Sequence, residues 1–89
     1  MSLNDELWDF PHSMTLKVFG DAGEEPLADI VGAILARHLH DFAAHAVTTR
    51  ASSHGRFLAV SADITVHNRE QVLGIYADLR AHPRIRMAI

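Results

Sequence analysis

The stretch from Arg56 to His67 constrains the fold more than any other part of the chain, because it alternates strictly for longer than any other. Leu58, Val60, Ala62, Ile64 and Val66 take every second position, and Phe57, Ala59, Ser61, Asp63 and Thr65 fill the gaps. A period of two sends successive side chains to opposite sides of an extended backbone. The segment is therefore a strand with one buried and one solvent-facing side, and its length places it centrally in a sheet.

The rest of the chain supplies partners for that strand. Ser13 to Phe19 alternates in the same way, with Met14, Leu16 and Val18 on one side and Thr15 and Lys17 on the other. Gly20-Asp21-Ala22-Gly23 ends it with turn residues. Helical spacing follows, with Leu27, Val31, Ile34, Leu35 and His38 on one face of a helix over about 26–40. Pro26 suits its first turn, and Glu24 and Glu25 match the positive end of its dipole. Ala46 to Ser53 reads as a polar edge strand joined to the long strand by a Ser52-Ser53-His54-Gly55 hairpin. Asn68 and Gln71 form a capping pattern ahead of a second helix over 69–81, with Val72, Ile75, Tyr76 and Leu79 as its stripe. Gly74 within that stripe lets the two helices come close. After His82-Pro83, Ile85, Met87 and Ile89 alternate with Arg84, Arg86 and Ala88 in a last strand.

The order is β-α-β-β-α-β. Each helix has one apolar stripe, so both cover the same sheet face, and right-handed crossovers put the first and third strands in the middle. The expectation is an α+β, ferredoxin-like two-layer sandwich, with a four-stranded antiparallel sheet and its second face open. The expected core is Leu16, Val18, Val31, Ile34, Val60, Ile64, Val72, Ile75, Leu79 and Met87. Eighty-nine residues make one such domain, over residues 13–89, after a lead-in arm over 1–12 anchored by Leu7, Trp8 and Phe10.

Composition excludes several classes of function. The chain has no cysteine, so disulfides and thiolate metal sites are ruled out. No apolar run reaches the ~18 residues of a membrane span, and Met1 to Glu6 does not read as a secretory signal. The protein is expected to be cytoplasmic, without a membrane role. A net charge of −3 argues against a dedicated nucleic-acid binder. The seven histidines show no metal-ligand spacing: His38 and His40 are two apart on a helix, roughly 200° around its axis. Ser53 and His54 are adjacent on a hairpin and point apart, so they do not form a nucleophile and base. No metal, cofactor or enzymatic activity is expected.

Several segments taken in order resemble a known family. They are Phe10-Pro11, Lys17-Val18-Phe19-Gly20, Arg37-His38, Ser52-Ser53-His54-Gly55-Arg56-Phe57, Glu70-Gln71-Val72, Ile75-Tyr76-Ala77-Asp78-Leu79 and Arg86-Met87. Over about residues 6–89 the chain resembles the YbeD-like family of small bacterial proteins of unknown function. That resemblance implies a ferredoxin-like fold of the ACT-like kind and no catalytic residues. The family is sometimes labelled lipoate-regulatory, which implies a regulatory role. The chain departs from the family at His54, where lysine is common. ACT domains seat small effectors at the turn after the first strand, which here is Gly20 and Asp21; the glycine that usually follows the proline is absent at Leu27.

Two kinds of partner follow. A protein partner, or a second copy in a homodimer, would use the open sheet face through Lys17, Arg84 and Arg86, with Phe57 at the rim. A small effector would sit at Gly20 and Asp21. RNA-recognition domains share this topology, but Thr15, Lys17, Ala59, Ser61 and Asp63 supply no aromatic stacking platform, so RNA ranks behind both.

Overall fold

A computed structural model describes residues 9–42, 46–52 and 54–89. Leu7, Trp8 and Ser53 lie outside these residues. The elements are β1 (His12–Asp21), α1 (Leu27–His38), β2 (Val47–Ala51), β3 (Phe57–Val66), α2 (Arg69–Ala81) and β4 (Ile85–Ala88). The sheet is four-stranded and antiparallel in the order β2-β3-β1-β4, so the two long alternating strands are central. This is the expected ferredoxin-like α+β topology.

β1 and β3 pair along their whole lengths, from His12 opposite Val66 to Asp21 opposite Phe57. Their inward residues Leu16, Val18, Val60, Ala62, Ile64 and Val66 join Leu27, Ile30, Val31, Ile34 and Leu35 of α1 and Val72, Ile75 and Leu79 of α2 in one core. Phe10 packs against that core, and the Phe10–Pro11 bond that follows it is cis. The capping pattern forms with one displacement. Asn68 Oδ1 accepts from the Gln71 amide at 2.9 Å, while Gln71 Oε1 accepts from the His67 amide rather than from that of the cap itself. Gly55 takes a φ of 71° in the hairpin, the left-handed conformation that glycine adopts without steric cost.

The register of β4 departs from the alternation read in the sequence. Ala88 lies opposite Val18 and Met87 opposite Phe19, but Ile85 lies opposite Gly20, with an irregularity between Phe19 and Gly20. One extra residue on β4 leaves Arg86 and Met87 both exposed and turns Ala88 toward the core. Met87 is therefore not a core residue: it is 55 % exposed on the open face.

The helices meet through a polar contact. His38 Nε2 lies 2.7 Å from Asp78 Oδ2, and Gln71 Nε2 donates to the His38 carbonyl at 3.1 Å. A Cβ on Gly74 would stand 2.7 Å from His38 Cε1, so the absence of a side chain there makes room for the ring.

Candidate functional site

Strand pairing sorts the open face into rows. Arg50, Ala59, Phe19 and Met87 lie side by side across β2, β3, β1 and β4. The row on one side of it holds Thr48, Ser61 and Lys17, with Ile89 hydrogen-bonded in both directions to the Lys17 backbone at 2.8 Å. The row on the other side holds Phe57 and Asp21. Far from this end the face is polar: Thr15 Oγ1 donates to Asp63 Oδ1 at 2.7 Å, and the Ser13 and Thr65 hydroxyls lie 3.2 Å apart.

The apolar end is the unusual part. Phe19, Phe57, Leu73, Met87 and Ile89 are the large hydrophobic side chains left exposed among the described residues, and all but Leu73 share this face. Isolated exposed hydrophobics are ordinary; contiguous ones mark contact surfaces. Ala59 is short between the two phenylalanines, and the result is an apolar hollow of about 570 Å³ walled by Phe19, Phe57, Leu58 and Met87. Arg50 and Arg86 stand at its rims. A second hollow of about 560 Å³ continues from Phe19, Arg50 and Ala59 to Lys17 and Thr48.

The residues expected on the open face, Lys17, Phe57, Arg84 and Arg86, divide. Lys17 and Phe57 are exposed on the open face, and Arg86 lies beside Met87 at the hollow. Arg84 does not join them. It precedes β4, and its guanidinium turns to the loop between β1 and α1. There Nε and Nη2 donate to the Asp21 carbonyl at 3.1 and 2.9 Å, and Nη1 donates to the Glu25 carbonyl. Alternation would have sent it outward only if β4 had begun there, but the carbonyls of the loop are closer partners. Arg86 Nε contacts both carboxylate oxygens of Asp21, at 3.1 and 3.2 Å, whereas the Asp63 carboxylate is held by Thr15.

Gly20 and Asp21, the expected effector seat, are already engaged. Gly20 is buried, and a Cβ there would stand 2.5 Å from the Arg84 carbonyl oxygen. The Asp21 carboxylate is held by Arg86 and its carbonyl by Arg84. Gly23, beyond them, lies against the Arg84 guanidinium.

The sequence reading missed Phe19, Arg50, Met87 and Ile89. Phe19 was recoverable, since alternation from Val18 sends it outward with Lys17; it joins Phe57, already expected outside β3, as a second aromatic on the open face. Met87 was hidden by the irregular register. Arg50 sits in a weakly patterned strand whose facing only the pairing reveals. Among the described residues no group of three or more His, Asp or Glu side chains could hold a metal ion. No described helix is long and apolar enough to cross a membrane.

The chain matches the family model described as "Protein of unknown function (DUF493)" over residues 5–89. It is 43 % identical over 74 residues to a UPF0250 protein of Pseudomonas paraeruginosa, covering 83 % of this chain and 78 % of that one. Against a UPF0250 protein of Shewanella loihica it is 41 % identical over 76 residues, covering 85 % and 83 %. A UPF0250 protein of Chromobacterium violaceum is 34 % identical over 84 residues, covering 94 % and 93 %. No catalytic family is indicated by any of these. Matched from residue 5 to residue 89, the chain belongs to the DUF493 family, the YbeD-like UPF0250 proteins, small bacterial proteins of unknown function.

Proposed function

We propose that this protein is a non-catalytic, cytoplasmic regulatory module that acts by docking a protein partner on its open sheet face. The observation that carries the reading is the gathering of Phe19, Phe57 and Met87 around a hollow at one end of that face, with Arg50 and Arg86 beside it and exposed Ile89 in the next row. Apolar side chains in a pocket, ringed by polar groups, are the arrangement that concentrates binding energy at interfaces. Lys17 and Arg50 form no ion pair with a described residue, so their charge is available to a partner.

The alternative, a small effector at Gly20 and Asp21, has less support, because Arg84 and Arg86 already satisfy the polar atoms of that turn. A thermal-shift screen of metabolites, amino acids and lipoate included, addresses it, since a ligand that binds only the folded state raises the melting temperature.

The docking reading is tested by cross-linked capture from a lysate of the source bacterium with three baits. The Phe19→Ser/Phe57→Ser double variant should lose a band that the native protein and a Leu73→Ser control both retain. Identical capture by all three would move the working surface elsewhere.

A further inference from the structure

The spacing of the cations around the hollow specifies what lies in it. Arg50 on β2 and Met87 on β4 are the ends of one row with Ala59 and Phe19 between them. Three strand-to-strand steps separate them, about 14 Å. Arg86 adjoins Met87, so the two guanidinium-bearing strands stand that far apart with the apolar hollow in the middle. Arg86 uses Nε on Asp21; Nη1 and Nη2 have no hydrogen-bond partner among the described residues.

An extended peptide rises about 3.3 Å per residue and turns residues i, i+2 and i+4 to the same side, with i and i+4 about 13 Å apart. That length matches the distance between the rims. Resting on the reading of this face as a docking surface, we propose that its occupant is an extended, acidic segment of a partner protein that lies across the strands with the pattern acidic-x-apolar-x-acidic. The central apolar side chain fills the hollow between Phe19 and Phe57. The flanking carboxylates meet Arg50 at one rim and Arg86 at the other.

Charge complementarity selects this occupant over the others. The rims and the adjoining hollow present Lys17, Arg50 and Arg86 on a chain of net charge −3. A second copy meeting the face squarely would bring three further cations but only Asp21 and Asp63, which Arg86 and Thr15 already hold. Single-stranded RNA would find two aromatics, one of them, Phe57, directly opposite the Asp21 carboxylate, which repels phosphate.

The test is fluorescence anisotropy with the full chain and a fluorescein-labelled probe, Gly-Asp-Ser-Trp-Ser-Asp-Gly. Binding should weaken about fivefold to twentyfold with Arg50→Glu, and by a similar factor when the probe's Asp residues become Lys. Trp→Ser in the probe should abolish it, and Asp-Trp-Asp spacing should weaken it. Arg50→Gln, a milder change on an exposed edge strand, guards against a misfolded Arg50→Glu protein and should give an intermediate loss. Equal binding of the Asp and Lys probes, or no effect of either Arg50 variant, overturns the proposal. So does tighter binding of a uridine decamer than of the peptide, or a dimer in sedimentation velocity that Arg50→Glu dissolves. If no probe binds while Phe19→Ser/Phe57→Ser still loses its captured band, the docking face stands and this occupant falls.

Discussion

At Gly74, two opposing effects of a methyl group meet. Alanine in a helix interior is favoured over glycine by about 1 kcal/mol. Its Cβ, however, would lie 2.7 Å from Cε1 and 3.0 Å from Nδ1 of His38. The ring cannot swing aside without giving up Asp78, 2.7 Å away, so the crowding wins. Gly74→Ala is expected to destabilise the protein by about 1 kcal/mol net, within the usual range for overpacking. In a His38→Ala background the same change should become stabilising, and urea unfolding of the four proteins in the cycle shows whether the sign reverses. The sequence made Gly74 legible as a close-approach position. It did not reveal the His38–Asp78 pair, because the partners are 40 residues apart and no spacing rule joins residues on two different helices. A second residue-scale effect is a titration. The hydrogen bond from His67 holds the exposed Asp41 carboxyl below its ordinary value. A depressed folded-state value means that the linked stability is present above the unfolded value and is lost as pH falls through the folded one. The Asp41 carboxyl resonance should titrate below the usual carboxylate range, about pH 4, and return to it in His67→Ala.

At the scale of elements, β4 separates what patterning reveals from what it does not. β1, β3 and both helices followed from their periods, since each repeat runs long enough to fix the facing of its element. β4 spans four residues, too few for alternation to determine register, and its course depends on distant groups. The Arg84 backbone comes so close to Gly20 that no side chain fits between them, and the Arg84 guanidinium ties the β1–α1 loop. Gly20→Ala should therefore displace the start of β4 and lower stability by roughly 2 kcal/mol or more, a strain cost. Arg84→Ala removes charge-assisted bonds to two carbonyls and should cost about 1.5–3 kcal/mol. Hydrogen exchange should speed up at the Asp21 and Ile85 amides, and Arg84→Lys should not restore them, because an ammonium lacks the planar fork that reaches both carbonyls.

The whole molecule is two layers with unequal tasks. One sheet face is sealed by α1 and α2; on the other, no described element is packed. Substitutions should report that division: Leu16→Ala is expected to cost about 2–5 kcal/mol, whereas Phe57→Ser and Met87→Ser should stay within roughly 0.5 kcal/mol of the native protein in urea unfolding. The layer order was legible in the sequence because periodicity states which side of each element is apolar. The hollow was not, because it comes from the lateral alignment of Arg50, Ala59, Phe19 and Met87, four residues on four different strands. The central pairing of β1 with β3 also bears on how the chain is made. Thr15 and Asp63 are 48 residues apart, so β1 leaves the ribosome before α1, β2 and most of β3 and waits for its main partner. The backbone edge that β1 presents to β3 stays unpaired for that interval. Non-local pairing of this kind slows folding, and a waiting strand is the aggregation-prone species of a nascent chain. For this protein the hazardous moment of synthesis falls after the first strand has emerged and before the third is complete.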